Sequence, residues 1–327
     1  VTSTSARPAR AGTSAQPSQH DPSVVLHAAQ LYYRDELTQD VVAQRLSVSR
    51  ATVSRLLAEA RRLGIVRIEV VPPEQADDAD LGEQVARHLG LQRVWVARSV
   101  RGISTGASLA PQLSDALATA NLRPGDVLLL AAGQTLHEAA HTQLPSMPGV
   151  LTVPAVGGME EPDAWYQSNE IARHVAERIG GRVKLLNAPA LPSAQLHQRL
   201  LDEPSIRRVT ELWSQARCAV VGVGAPPAVR RSIASSVPLA SEALRSAVGD
   251  LCLRFFDRAG APVVFPGGEY VFSADLELLR RIPITIAVAA GREKIEGIVA
   301  AARAGYIDEL VTDRQSASDL LEQAPPA

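Results

Sequence analysis

Lysine is scarce in this chain: of its 33 basic side chains, only Lys184 and Lys294 are lysine. Lys294 closes the stretch Ala289-Ala290-Gly291-Arg292-Glu293-Lys294, in which an apolar run meets a glycine turn and the start of a helix. Where solvated cations are nearly always arginine, a lysine in that place suggests a compact point charge for an anion, or a nucleophilic amine, with an ordinary surface lysine as the plain alternative. A second stretch, Leu128-Leu129-Leu130-Ala131-Ala132-Gly133-Gln134-Thr135-Leu136, reads as a buried strand, a glycine turn and another helix start. Gly133 permits close backbone approach, the helix N-terminus offers free N–H groups to an anion, and Thr135 adds a hydroxyl. Taken alone, such turns are more often structural. Val156-Gly157-Gly158 ends a third apolar run, and Asn169 lies on the helix after it. Asp250 and Asp257 flank the run 251–256, either to hold ligand hydroxyls or to cap loops. His137 and His141 stand four apart on one helix, a metal-binding spacing. With no third ligand evident nearby, solvation or packing is the simpler role.

A different chemistry sits near the N-terminus, in Thr38-Gln39 and the residues through Leu57. Val42, Leu46, Val48, Val53 and Leu56 take the inward positions of two short helices joined by a tight turn, and Ala43 lets the helices cross closely. Ser49 is a good N-cap for the second helix, able to accept from the N–H of Thr52. Ser47 stands in the turn where glycine is commonest. The outward face carries Ser49, Arg50, Ala51, Thr52, Ser54 and Arg55, small polar and basic side chains suited to a DNA major groove, with Thr38 and Gln39 at the start of the first helix. Between positions 49 and 62 there are four arginines against the single acid Glu59, a local patch for phosphates in a chain whose net charge is −2. Leu63-Gly64 ends the helix, and residues 65–70 alternate apolar and polar as a half-buried strand does. A helix-turn-helix followed by a strand reads as a winged DNA-binding domain.

These residues need two domains to hold them, and 327 residues suffice. Residues 1–21, rich in Ser, Thr, Ala and Pro, are expected to be a disordered tail. The winged domain spans 22–72, an acidic linker and helix occupy 73–92, and the remainder, 93–327, forms the larger domain. There, apolar runs at 94–97, 127–132, 151–156, 183–186, 219–223, 251–256, 284–289 and 309–311 alternate with helix-length amphipathic stretches. That alternation implies an α/β fold, a Rossmann-like, mostly parallel, doubly wound sheet covered on both faces. Such sheets bind ligands at the carboxyl ends of their strands. Cys218 and Cys252 sit in apolar runs and read as core residues in a reducing compartment. The cysteines show no metal-ligand spacing, and no cofactor motif, signal pattern or membrane-length apolar string is found, so the sequence reads as cytoplasmic and cofactor-free.

The chain resembles the SorC family of bacterial sugar-responsive transcriptional regulators over roughly residues 24–321. The likeness rests on Leu31-Tyr32-Tyr33, Thr38-Gln39, the stretch from Ser49 to Leu57, Gly64-Ile65-Val66, Gly222-Val223-Gly224, Ala247-Val248-Gly249-Asp250, Phe256-Asp257, Gly291 with Lys294, and Leu310-Val311-Thr312-Asp313 followed by Ala317. The resemblance implies a sensor domain similar to sugar-phosphate isomerases. By position, Gly133, Gln134 and Thr135 would cradle a phosphate, with the turns at Gly157, Gly158 and Gly291 nearby and Lys294 as the cation. Gln167, Asn169 and Asp250 would contact the sugar. Gln134 stands where the family's loop often has a hydroxyl or basic residue, and Val156 gives the next loop no charge. A monophosphorylated sugar, a neutral sugar or a polyol is therefore expected rather than a doubly phosphorylated effector.

The competing reading is an isomerase- or deaminase-like enzyme on the same sheet, with Asp250 and Lys294 as its acid/base pair. The fused DNA reader favours a regulator of a carbohydrate operon. One recognition helix reads few base pairs, so a homodimer or homotetramer joined through the larger domain, on a repeated or palindromic operator, is expected.

Overall fold

The computed structural model describes residues 20–35, 37–66, 73–98, 102–230, 237–238 and 241–323. The chain divides into two compact units, Val1–Pro72 and Pro73–Ala327.

In the first unit, helix α1 (Pro22–Ala29) is N-capped by Asp21 and runs on into one π-helical turn, Gln30–Arg34. Helix α2 (Gln39–Leu46) starts at Thr38, whose side chain accepts from the Val41 N–H. It ends at Ser47, whose φ of 53° and ψ of 40° are the left-handed conformation the tight turn demands. Helix α3 (Arg50–Arg62) begins as its sequence dictates, with Ser49 Oγ accepting from the Thr52 N–H at 3.1 Å. Val25, Val42, Val53, Leu56 and Ala60 form the core of this unit, and Leu46 and Val48 pack against it. The tail expected at 1–21 and the wing strand expected at 65–70 fall largely outside the described residues.

The second unit opens with helix α4 (Pro73–Leu89), strand β1 (Arg93–Ala97), helix α5 (Thr105–Thr119), strand β2 (Val127–Leu130) and helix α6 (Gln134–Ala140). It continues with β3 (Leu151–Pro154), α7 (Ser168–Ile179), β4 (Arg182–Val183), α8 (Ala194–Asp202), α9 (Pro204–Trp213) and β5 (Ala216–Gly222). A hairpin and a short third strand follow, β6 (Ala247–Leu251), β7 (Arg254–Asp257) and β8 (Pro262–Val263). The chain then closes with α10 (Leu276–Arg281), β9 (Ile284–Val288), α11 (Ile295–Arg303), β10 (Glu309–Asp313) and α12 (Arg314–Gln323).

Seven strands form one sheet in the order β1-β10-β9-β5-β2-β3-β4, with every pairing parallel. All four residues of β2 are buried, so both faces at the sheet centre are covered, as a parallel sheet requires. From β2 the chain winds outward to β3 and β4. It then returns to lay β5 on the other side of β2 and winds away through β9 and β10. The loops after β2 and β5 thus diverge at a topological switch point, where open α/β sheets leave a crevice beyond the strand ends.

Two expectations change. Residues 74–80, read as an acidic linker, are the first half of α4. The run 251–256, read as one strand of the main sheet, is a turn between two antiparallel strands of a separate three-stranded sheet. Cys252 and Leu253 both adopt left-handed conformations there, with φ of 53° and 64°. The apolar residues around Arg254 hid this turn: Leu251, Cys252, Leu253, Phe255 and Phe256 are all buried.

Candidate functional site: a cleft at the switch point

A cavity of about 650 Å³ opens at the switch point. Gly133, Gln134 and Thr135 line it from the end of β2, Gly222 and Gly224 from the end of β5, and Lys294 from the loop after β9. Asp250, near the end of β6, completes its polar lining together with Arg230 and Glu293. Its volume is that of a small-molecule site. Strands that all run in parallel bring these loops to one sheet edge, which is why residues more than 150 positions apart meet.

Lys294 is half-buried, and among the described residues its ammonium has no hydrogen-bond or ion-pair partner. Burial holds its pKa below the usual lysine value, and Arg230 adds to the lowering; Glu293, Asp250 and Glu138 pull the other way. An ammonium kept from water without a partner is poised to accept an anion, because a ligand charge replaces the hydration it has lost.

Asp250 is buried and firmly held. Arg230 ion-pairs with its Oδ1, and its Oδ2 accepts from the Leu253 N–H at 3.1 Å, while its backbone carbonyl accepts from the Gly224 N–H at 3.0 Å. Both oxygens of its carboxylate are therefore anchored where Asp250 lines the cleft.

The glycine turn after β2 is fixed from outside the cleft. The Gly133 N–H donates to the Trp165 carbonyl at 2.9 Å, and φ at Gly133 is 142°. The Gln134 side chain donates to Glu138 Oε1 at 3.0 Å, and Glu138 Oε2 accepts from the Gly106 N–H at 2.9 Å. Helix α6 has only seven residues, so its dipole is weak and the attraction for an anion rests mainly on Lys294.

The structure brings together Gly133, Gln134, Thr135, Asp250 and Lys294. It does not place Gly157, Gly158, Gln167, Asn169 or Gly291 among the cleft-lining residues. Asn169 is engaged at both ends with Leu186, donating to its carbonyl at 3.1 Å and accepting from its N–H at 2.9 Å. Gln167 donates to the Glu161 carbonyl at 2.8 Å and so braces the loop above the cleft. Gly157 passes so close to the backbone of residues 188–190 that a Cβ would sit 2.6 Å from it. Gly291 donates its N–H to Ser316 Oγ at 2.8 Å. Asp257 caps its own loop, accepting from the Ala259 and Ala261 N–H groups at 2.9 Å.

Sequence reasoning missed Arg230, Glu138 and His174. Arginine is the chain's ordinary cation, so nothing marks Arg230 out. His174, on α7, stacks on His141 with ring centroids 4.4 Å apart, and His141 lies 4.5 Å from His137. The third imidazole thus exists, but it comes from another helix. Among the described residues no His, Cys, Asp or Glu group has the geometry to hold a metal ion. Both cysteines are buried thiols, and burial raises the pKa of Cys252 to about 12.

In the first unit, Thr38, Ser49, Arg50, Ala51, Ser54 and Arg55 are exposed and Gln39 and Thr52 partly so. Glu59, the one acid among the arginines of α3, is buried and tied to His20 at 2.7 Å and Arg62 at 3.2 Å. The outward face of the helix therefore stays cationic.

A helix-turn-helix with a basic outer face, joined in one chain to a parallel α/β domain with a small-molecule cleft, defines a ligand-controlled transcription factor. Residues 73–322 match the family model described as "Putative sugar-binding domain". The sorbitol operon regulator of Klebsiella pneumoniae is 29% identical over 313 residues, covering 92% of this chain and 98% of that protein. The deoxyribonucleoside regulator of Bacillus subtilis is 29% identical over 309 residues, covering 90% and 96%. The crystal structure of the full-length Klebsiella regulator superposes with a TM-score of 0.69, covering 93% of this chain and all of the other. The chain belongs to the SorC/DeoR-type family of sugar-binding transcriptional regulators, and these relatives are regulators rather than enzymes. Among the described residues no helix is long and apolar enough to cross a membrane.

Proposed function

We propose that the chain regulates a carbohydrate operon, and that a sugar or polyol carrying one phosphate binds the switch-point cleft and controls DNA binding. The observation that carries this reading is Lys294, a half-buried ammonium without a partner among the described residues, lining the same cavity as the Gly133 turn and Asp250. The ammonium takes the phosphate, the N–H groups after Gly133 support it, and the Asp250 carboxylate accepts from sugar hydroxyls. The charges select for one phosphate. Lys294 and Arg230 are the lining cations, but Arg230 is ion-paired with Asp250, and Glu293 and nearby Glu138 add negative charge. Among the described residues lining the cleft, a second phosphate would meet no spare cation. A neutral sugar or polyol is the second reading, favoured by the same charge balance if Glu293 screens Lys294.

DNA contact belongs to α3, with Arg50 and Arg55 as the leading residues, supported by Thr38, Gln39, Ser49, Ala51, Thr52 and Ser54. The chain acts as a homodimer or homotetramer joined through its second unit, since one short helix supplies too few contacts for operator affinity. A thermal-shift panel of sugar monophosphates, bisphosphates and parent sugars tests the effector class. A monophosphate at 100 times its Kd stabilises by about 2.7 kcal/mol. Equal stabilisation by the parent sugar supports the second reading. Sedimentation as a monomer at micromolar concentration counts against the oligomer.

A further inference from the structure

We infer that Asp78 couples the cleft to the helix that leads into the DNA-binding unit, through the first turn of α12. The inference rests on the effector reading of the cleft and adds a route out of it.

The route begins at the loop that carries Lys294. Gly291, three residues earlier, donates its N–H to Ser316 Oγ at 2.8 Å. Ser316 is buried in the first turn of α12, where its own N–H donates to Asp313 Oδ1 at 2.7 Å. A second, weaker tie runs beside it: Arg292 Nε lies 4.0 Å from Asp319 Oδ2, and Gln315 holds Asp319 Oδ1 at 2.9 Å. These contacts tie the loop after β9 to the start of α12.

The same turn of α12 presents Arg314, which ion-pairs with Asp78 of α4. Arg98, just past the end of β1, donates from Nε to the other carboxylate oxygen of Asp78 at 2.7 Å. Asp78 is 6% exposed, so its carboxylate is held by these guanidinium partners in place of water. A buried carboxylate stripped of one partner is strongly disfavoured, so α4 must follow Arg314 or reorganise. Helix α4 starts at Pro73, directly after the last residue of the first unit. An anion drawing on Lys294 therefore pulls on a chain of polar contacts ending on the segment that joins the two units. That makes Ser316, Arg314 and Asp78 positioning residues, and coupling of this kind shows as remote change rather than local damage.

Hydrogen exchange on the full chain tests it without knowledge of the effector. Asp78→Asn is expected to speed exchange of the amides of residues 291–294 by about tenfold, while those of β2 and β5 keep their protection. Ser316→Ala, a gentler change from the opposite end, is expected to do the same to residues 77–82 of α4. Exchange that rises only around each substituted residue overturns the inference, as does a Ser316→Ala protein whose α4 is unchanged. Should Asp78→Asn lose protection everywhere, Ser316→Ala and Arg314→Lys decide: the lysine variant keeps the charge and is expected to retain protection at 291–294. Inorganic phosphate added to the unaltered chain separates the two readings. Protection gained at 291–294 with none in α4 contradicts the coupling. No gain at either place counts against the anion site, and the variants still decide the coupling.

Discussion

Gly224 and Asp250 interlock: the Gly224 N–H donates to the Asp250 backbone carbonyl at 3.0 Å, and a Cβ on Gly224 would overlap the Asp250 carboxylate. Arg230 Nη1 is paired with that carboxylate and lies only 2.7 Å from the same Cβ position, so the clash falls on the ion pair itself. Gly224→Ala is therefore expected to displace Asp250 and destabilise the protein by about 1–3 kcal/mol. Calorimetry should find sugar affinity reduced while DNA affinity without ligand is unchanged. Normal sugar affinity in a stable Gly224→Ala protein would remove Asp250 from the binding role.

Lys294→Met should raise the melting temperature of the ligand-free protein. The lowered pKa means the folded state holds the Lys294 proton less tightly than the unfolded state does. Between the folded value and 10.5 the unfolded state binds more protons, so stability rises with pH across that window. The methionine variant lacks this slope. A bound anion reverses the effect and draws a proton onto Lys294, so phosphate-ester affinity should weaken as pH climbs above the ligand-free value. Calorimetry in buffers of different ionisation enthalpy would detect the proton uptake.

The histidine column predicts a second pH dependence at lower pH. Burial, then His141 and His174, hold His137 below the ordinary imidazole value of 6.5. The unfolded chain takes that proton first, so stability is lost as pH falls from 6.5 toward the folded value. His137→Gln should flatten this part of a melting-temperature profile. An unaltered slope would assign the effect elsewhere.

DNA binding should fail at α3 before the fold does. Arg50→Ala or Arg55→Ala is expected to cost about 1–3 kcal/mol of binding if the side chain reads a base. The exposed pair of Arg50 with Asp40, at 3.7 Å, contributes little to stability, so the melting point should hold. Ser49→Ala, by contrast, removes the cap and should destabilise α3 by about 1 kcal/mol. Mobility-shift titrations against specific and random DNA separate base contacts from phosphate contacts.

Much of this was legible in the residues. Ser47, Ser49 and the apolar spacing around them define the helix-turn-helix because local turns and caps depend on neighbours in sequence. The sheet was legible because a strand buried on both faces, such as β2, must be continuously apolar. The hairpin at Cys252 and Leu253 was not, since two apolar residues in left-handed conformations mimic an unbroken strand. Gln167 and Asn169 carry the right chemistry for sugar hydroxyls, but the structure engages both with backbone groups. Polar side chains serve loops and ligands equally well, and only their partners tell which. Arg230 and His174 act through contacts between distant elements, and no spacing in the chain encodes those.

The proposed ligand of the cleft is one phosphorylated sugar held through Lys294. Isothermal titration of the full chain and its Lys294→Met variant with a panel of sugar monophosphates tests it most directly. One bound monophosphate per chain is expected, with an affinity at least about tenfold weaker in the variant, a difference of about 1.4 kcal/mol. Equal affinity of the two proteins for the best-binding sugar phosphate would contradict it.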